Sequence, residues 1–381
     1  MTAIKHLAQS VALLRKHVWN LQAASAELHH TDLIRLIASC GIIFSHTAEF
    51  MVPRELRQHI YHNLEGLTLF VDVFFVISGF VLSFVYAGRI NRLHDFTKFM
   101  QRRIGRLVPL HLVTFLIVTA LYLVAISLHI PINNQPSLSA KCLVSTALLI
   151  HAWNSCGVQV PNGVSWSISA EMAVYLLFPL FLRVFRAPRL FRIAFFGVLL
   201  GFCSWLSGGV SEMSSSFTAL RAMPPFYFGV LIYSEKDHLR LPAYAGSLPF
   251  LLVGLLVIGT LRVWPRELLI VVGYSIAATA AIADISQIRS TIVSRLAPLG
   301  QLTYSAYMLH SIFMALIINA LFDKWLKLGV VWLIIVTIAT WLLIFIASLL
   351  SFYLFETPIR KKIDAFEFSF WLKRKHGRRN R

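Results

Sequence analysis

Ten apolar runs divide this chain of 381 residues, at 33–50, 66–88, 107–130, 164–186, 191–209, 217–233, 243–263, 267–285, 301–322 and 329–354. Each is close to the ~20 residues that carry a helix across a bilayer core. Backbone polar groups in hydrocarbon must be satisfied within their own segment, so each run reads as a helix and the chain as an all-α integral membrane protein. Soluble domains carry about 25% charged residues, whereas 14% are charged here and 57% are apolar. The net charge of +18 would point to nucleic acid in a soluble protein. In this chain most of the excess sits in loops beside the spans, where it sets topology, and no nucleic-acid partner is expected.

Residues 1–31 hold no long apolar stretch and no small-residue cleavage pattern, only a VALL run flanked by Lys5, Arg15 and Lys16. They read as a cytoplasmic segment rather than a signal peptide. One further apolar run, Lys141 to Trp153, is too short to span and stands among Pro131, Pro136 and Pro161. If it stays outside and the N-terminus is cytoplasmic, 26 of the 35 Lys and Arg fall in inner segments and seven in outer loops. Were it to cross, Arg183, Arg186, Arg189, Arg192 and the tail Lys373–Arg381 would move outside, which the positive-inside rule rejects. Residues 131–163 are therefore expected to form an outer lid with a partly inserted segment, tolerated because protein surrounds it. The expected organisation is a cytoplasmic segment over 1–31, a ten-span domain over 32–356 and a basic cytoplasmic tail over 357–381, with both termini cytoplasmic. The tail should meet anionic membrane lipids. Phe366, Phe368, Phe370 and Trp371 among its cations fit an interfacial helix, and a solvated tail fits nearly as well.

Ionisable groups inside spans are costly and mark functional sites by default. Here they are Arg35, His46, Asp72, Glu171, Arg221, Asp284 and His310. Arg35 and His46 share one face of the first helix, about 20° out of register and about 16 Å apart along its axis, with Arg35 near the cytoplasmic mouth. Counted from the outer surface, Asp72 lies about six residues deep, Glu171 about seven and His46 about four to six, one layer roughly 6–10 Å down. An imidazole beside carboxylates suits a general base whose tautomer an acidic partner holds. The competing reading has Asp72 and Glu171 neutralising Arg221 as buried structural pairs.

On the cytoplasmic side Arg89, Arg92, Lys98, Arg102, Arg103 and Arg106 face a single Asp95. Arg103 and Arg106, three apart, are expected to point the same way, and a planar guanidinium fork binds two phosphate oxygens at once. Lipid-headgroup contact explains Arg89, Arg92 and Lys98 equally well. A phosphate anchor inside, a base further out and carboxylates near the outer face together describe a conduit for a long ligand with an anionic head and a reactive tip. Acyl-coenzyme A has that shape. Its thioester would reach His46, which either deprotonates an acceptor hydroxyl or is itself acylated.

Six segments in order resemble the acyltransferase 3 family of integral membrane O-acyltransferases. They are Asp32-Leu-Ile-Arg35 with His46, VDVFFVISGF (71–80), QRRIGRLVPL (101–110), SWSISAEMAVYLLFP (165–179), LTYSAYMLHSIF (302–313) and FETPIRK (355–361). The family's Arg-x10-His element resembles Arg35 and His46, its Arg-x-x-Arg element resembles Arg103 and Arg106, and its WSLSxE-like element resembles Trp166 to Glu171. The resemblance implies ten spans in a bacterial inner membrane and a cytoplasmic acyl-CoA donor, most often acetyl-CoA. It further implies transfer to a hydroxyl of a surface carbohydrate or lipid-linked glycan. On this reading His46, Glu171 and Asp72 are the candidate catalytic residues. Arg35, Arg102, Arg103, Arg106 and Ser78 are the candidates for holding the donor. Where the family often has two acidic residues this chain has Glu171-Met172, which puts any role needing both in doubt. Some members carry an additional hydrolase-like domain; without one, the chain would work alone or with a separate partner.

Several features carry weaker expectations. Ser78-Gly79 reads first as a close helix–helix contact and second as room for the donor's arm. Tyr304, Tyr307 and His310 share a helix face and either line an acceptor path or bond between helices. Pro224-Pro225 should break or kink the sixth span. Cys142 and Cys156 share the outer lid, where an oxidising compartment permits a bridge without requiring one. No metal-ligand spacing, phosphate loop or dinucleotide fingerprint is present, and no metal is expected. A carrier of an anionic metabolite or lipid-linked sugar is the alternative function. It would be expected to show two repeat-related halves, and no such repeat is visible.

Overall fold

The structure is a computed structural model that describes residues 28–130, 136–153, 156, 160–209 and 218–366. The N-terminal segment and the aromatic tail beyond Phe366 lie outside the described residues. Among the described residues there is no strand. The helices in chain order are α1 (His29–Thr47), α2 (Arg57–Leu64), α3 (Phe70–Tyr86), α4 (Leu93–Ser127), α5 (Ala140–Ala147), α6 (Trp166–Phe185) and α7 (Arg189–Ser207). They continue as α8 (Thr218–Ser234), α9 (Leu248–Leu261), α10 (Arg266–Ile285), α11 (Thr291–Leu296), α12 (Thr303–Phe313) and α13 (Val330–Leu350). A π-helical stretch, Met314–Trp325, extends α12, and helix continues past α13 to Phe366.

Nine helical stretches among the described residues are long and apolar enough to cross a membrane. The tenth expected span is α8, whose 17 residues rise about 26 Å. Its shortness is compatible with its place inside the bundle. There α8 packs backbone to backbone on α3: a Cβ on Gly79 would stand 1.9 Å from the Phe226 carbonyl oxygen, and one on Gly229 would stand 2.0 Å from that of Val76. Small residues that let backbones meet are how helices associate where lipid removes the usual hydrophobic drive. The helix runs through Pro224-Pro225 without the expected break. Phe178 and Phe181 of α6 pack against Phe226 just beyond the prolines, and neighbouring helices are what make proline tolerable inside a bundle.

Ion pairs and hydrogen bonds show which helix ends share a face. Arg266 meets Glu65 at 3.2 Å and Arg57 meets Asp323 at 2.8 Å on the face that carries the lid. Arg189 meets Glu235 at 3.1 Å, and Gln101 donates to the Ile363 carbonyl at 3.0 Å, on the opposite face, where the chain runs toward its tail. We call these the lid face and the tail face. At the tail face Asp284 of α10 takes in the start of α1. Its oxygens accept from the His30 and Thr31 backbone N–H groups at 2.8 and 2.9 Å, from the Thr31 hydroxyl at 2.9 Å and from His30 Nδ1 at 3.1 Å. A helix start leaves N–H groups unsatisfied and favours negative charge, so this in-span carboxylate serves as a cap supplied from a neighbouring helix.

The lid does not cross. α5 has eight residues, far short of a span, and a disulfide joins Cys142 to Cys156 with Cα atoms 5.4 Å apart. The segment nevertheless sits below the lid-face end of α4. His111 Nε2 bonds the Thr146 carbonyl at 2.9 Å, Asn162 Nδ2 donates to Thr114 Oγ1 at 3.0 Å, and Ser169 Oγ donates to the Leu149 carbonyl at 2.6 Å. His111 is about 24 Å short of the far end of α4. The described part of the lid is thus packed on α4 and α6 along one side, while Val144, Leu148, Ile150 and Trp153 stay exposed on the other, so protein does not surround it as expected.

Candidate functional site

Two cavities meet inside the bundle. The one nearer the tail face draws its wall from five helices: Arg35 of α1; Phe74, Phe75 and Ser78 of α3; Arg106 of α4; Ser167, Glu171 and Tyr175 of α6; and Thr303, Tyr304 and Tyr307 of α12. Glu171 is held there by two hydroxyls. Ser78 Oγ donates to its Oε1 at 2.9 Å, and the Tyr175 hydroxyl, one helical turn along α6, donates to the same oxygen. Arg35 Nη1 donates to Asp32 Oδ1 at 3.2 Å. The cavity thus combines two guanidinium groups with one carboxylate and a wall of aromatic rings, a surface able to take an anionic group at one end and a thin apolar arm along it.

The second cavity opens toward the lid face and is lined by Ile42 and His46 of α1, Glu65, Thr68, Val71, Gly163, Val164, Trp166, Arg221, Arg266 and Tyr307. Val71 and Tyr307 line both cavities and form the partition between them. The Tyr307 hydroxyl donates to the Val164 carbonyl at 3.1 Å and accepts from Ser167 Oγ at 2.9 Å, which fixes the ring in that partition. Arg35 and His46, on one face of α1, therefore open into consecutive chambers.

The three groups expected in one layer are not gathered there. Asp72 lies against Arg221, which donates to Oδ1 from Nε at 3.1 Å and to Oδ2 from Nη2 at 2.6 Å, with both side chains more than nine-tenths buried. For Asp72 this is the competing structural reading. Arg221 also stacks over Trp166 at 5.1 Å. Glu171 lies deeper than its chain count suggests, because its partner Ser78 stands six residues, about 9 Å, below Asp72 along α3. Depth counting assumes that every span starts in one plane, and the inserted lid delivers α6 below that plane. What stands beside His46 is instead His310 of α12, with ring centroids 5.4 Å apart.

The arginines also divide. Arg106 reaches the tail-side cavity with Arg35. Arg103, expected to point with it, lies 6.0 Å from the rings of both Tyr86 and Phe99. Its Nε is buried without a hydrogen-bond partner among the described residues. Arg102 is exposed. Sequence reasoning missed Tyr175 as a partner of Glu171, although the spacing of four on one helix carries that signal. Gly79 makes the helix contact and Ser78 lines the cavity, so the pair meets both expectations. Among the described residues no group of three or more His, Cys, Asp or Glu could hold a metal ion.

Comparison with known proteins places this architecture. The chain is 32% identical over 157 residues to the acyltransferase MdmB of Streptomyces mycarofaciens, covering 40% of this chain and 38% of that protein. It is 25% identical over 226 residues to nodulation protein 10 of Rhizobium leguminosarum bv. viciae, covering 54% and 58%. A putative membrane-bound transacylase, BcsY of Komagataeibacter xylinus, is 26% identical over 268 residues, covering 65% and 66%. The matched regions thus span between about two fifths and two thirds of these relatives' own lengths. No solved structure matches the chain. The profile of the acyltransferase domain matches residues 29–356, from the start of α1 to the Glu356 that hydrogen-bonds Ser305 and Ser351, and the chain therefore belongs to the acyltransferase 3 family.

Proposed function

We propose that this chain is a membrane O-acyltransferase that moves an acyl group, in the first place acetyl, from cytoplasmic acetyl-CoA to a hydroxyl of a cell-surface or lipid-linked carbohydrate. The observation that carries this reading is the pair of adjoining chambers that share Val71 and Tyr307 as their common wall, with Arg35 and Arg106 in one and His46 in the other. Arg35 and Arg106 suit the anionic portion of the donor, and the aromatic tail-side chamber suits its thin pantetheine arm. Ser78 and Glu171 line that arm's course. Arg102 and Arg103, nearer the tail face, would meet the nucleotide end. Trp166 and the Glu65–Arg266 pair at the rim of the lid-side chamber suit an acceptor rich in hydroxyls. Asp72 acts on this site by holding Arg221 over Trp166.

In direct transfer the acceptor oxygen attacks the thioester carbonyl carbon, its proton passes to His46, the C–S bond breaks, and His46 returns the proton to the sulfur. Ester and free coenzyme A result, with no other reactant. If His46 carries the acyl group first, its ring nitrogen attacks the thioester carbon, the C–S bond breaks and the sulfur takes the ring's other N–H proton; the acceptor oxygen then attacks the acyl carbon, the C–N bond breaks and the hydroxyl proton returns to the imidazole. The orientation expected from the basic loops puts the donor in the cytoplasm of a bacterium and the lid outside its inner membrane. The disulfide of the lid supports that side as the oxidising one.

The test is a purified preparation in detergent with no gradient, given acetyl-CoA and surface polysaccharide from a host strain lacking the gene. Release of free coenzyme A with acetylation of the polysaccharide is the expected result, lost in His46→Ala at unchanged protein level. A preparation that acetylates nothing yet exchanges anionic solutes across sealed vesicles would establish the carrier instead.

A further inference from the structure

His310 is completely buried beside His46, which lines the lid-side chamber, and stands one helical turn beyond Tyr307. Its Nδ1 lies 2.6 Å from the Tyr307 carbonyl oxygen. A carbonyl only accepts, so Nδ1 carries the proton, and the neutral ring presents a bare lone pair at Nε2. That Nε2 is buried and has no hydrogen-bond partner among the described residues. A buried acceptor left unmatched is costly, and such groups recur where a site has a use for them. The ring beside it is His46, 5.4 Å away between centroids and inclined by 32°. Among the described residues no carboxylate hydrogen-bonds the His46 ring: Asp72 is taken up by Arg221, and Glu171 by Ser78 and Tyr175.

We propose that His310 is the positioning residue for His46, its Nε2 accepting from one ring nitrogen of His46 so that the other stays unprotonated and turned toward the acceptor hydroxyl. This inference rests on the acyltransferase reading above. Through α12 a backbone carbonyl fixes the His310 tautomer, and His310 in turn fixes that of His46, the part an acidic residue plays in a Ser-His-Asp triad. A neutral partner suits this depth. A carboxylate would add a further buried charge to a span, whereas imidazole supplies the same acceptor without one. When His46 takes the hydroxyl proton on its chamber side, the N–H facing His310 becomes a charge-assisted donor, and the bond shortens as the acceptor oxygen attacks. The proton then passes from His46 to the leaving sulfur, and His310 gains and loses none.

The experiment compares His310→Leu and His310→Gln in detergent with acetyl-CoA and the same polysaccharide, measuring kcat and KM for acetyl-CoA, with acetyl-CoA binding as the check on folding. Leu removes the acceptor. Gln places an amide oxygen near the position of Nε2. The expected result is a kcat roughly 100-fold lower for Leu with KM within about threefold of the parent protein, and recovery of at least about tenfold in kcat by Gln. Leu and Gln equally impaired, or both raising KM with kcat intact, would mean that His310 only fills space and would overturn the inference while His46→Ala still upholds the acyltransferase. A parent protein that transfers nothing would remove both.

Discussion

Asp72 and Arg221, 149 positions apart, meet through two hydrogen bonds of 3.1 and 2.6 Å inside the bundle. The pair bolts α3 to α8 just above the contact between Gly79 and Phe226, and it holds the guanidinium over Trp166 at the rim of the lid-side chamber. Stability and site shape therefore depend on the same ion pair.

Removing one partner leaves a buried charge uncompensated. Asp72→Leu alone should destabilise the protein by about 3–5 kcal/mol, and Arg221→Met alone by a similar amount. The double variant should recover most of that loss, because the desolvation penalty of both charges disappears with the pair. Thermal unfolding in detergent of the four proteins of this cycle measures the coupling. A double variant as unstable as the sum of the singles would show that the charges do not sense each other.

On the proposed function, Arg35 and Arg106 hold the donor through their shape as well as their charge. Lysine keeps the positive charge but not the planar fork, so Arg106→Lys should raise KM for acetyl-CoA by about tenfold or more with a smaller effect on kcat, and Arg35→Lys should behave alike. Initial rates at fixed ionic strength settle this. Full activity with both lysines would mean that the cavity needs only net charge.

The spans, the lid that fails to cross and the two-residue face of α1 were all legible, because each follows from a period or a length that the bilayer enforces. Lateral neighbours were not. Asp72, Glu171 and His46 have similar depths by chain count, but which helix a side chain faces depends on rotation and on packing across the bundle. Neither leaves a mark in one sequence. The His46–His310 pairing is of that kind: His310 could be singled out as a buried ionisable group, while its partner lies on a helix 264 positions away. Asp284 was likewise visible as costly, and only the approach of α1 shows it to be a helix cap.

The disulfide closes a short loop, with a sequence separation of 14. A loop of this size restrains the unfolded chain by about 3 kcal/mol. Cys142→Ser should therefore lower stability by about 2–4 kcal/mol, loosening the lid bonds to His111 and Thr114 first. Mass analysis of thiol-blocked protein should find the exposed Cys40 alkylated first, the buried Cys203 only after unfolding, and Cys142 and Cys156 only after reduction. Alkylation of Cys142 without reductant would show the lid to be unbridged.

Of the described glycines, Gly79 and Gly229 leave the least room for a Cβ, each facing a partner backbone that cannot turn aside as a side chain can. A methyl group at either position would have to part α3 from α8. Overpacking costs of 1–3 kcal/mol are typical where side chains can yield, so Gly79→Ala should exceed about 3 kcal/mol and Gly229→Ala should match it. Parting the helices would also shift Ser78 away from Glu171 and move the Asp72–Arg221 bolt. Activity should therefore fall even in protein that remains folded in detergent. Gly197 and Gly201 on α7 have nothing within 4 Å of the position a Cβ would take. Alanine there should leave expression and melting temperature unchanged, or raise them slightly through its better helix propensity. Size-exclusion profiles and melting curves of the four single variants make the comparison. A well-behaved, active Gly79→Ala protein would show that α3 and α8 lie further apart than this structure has them.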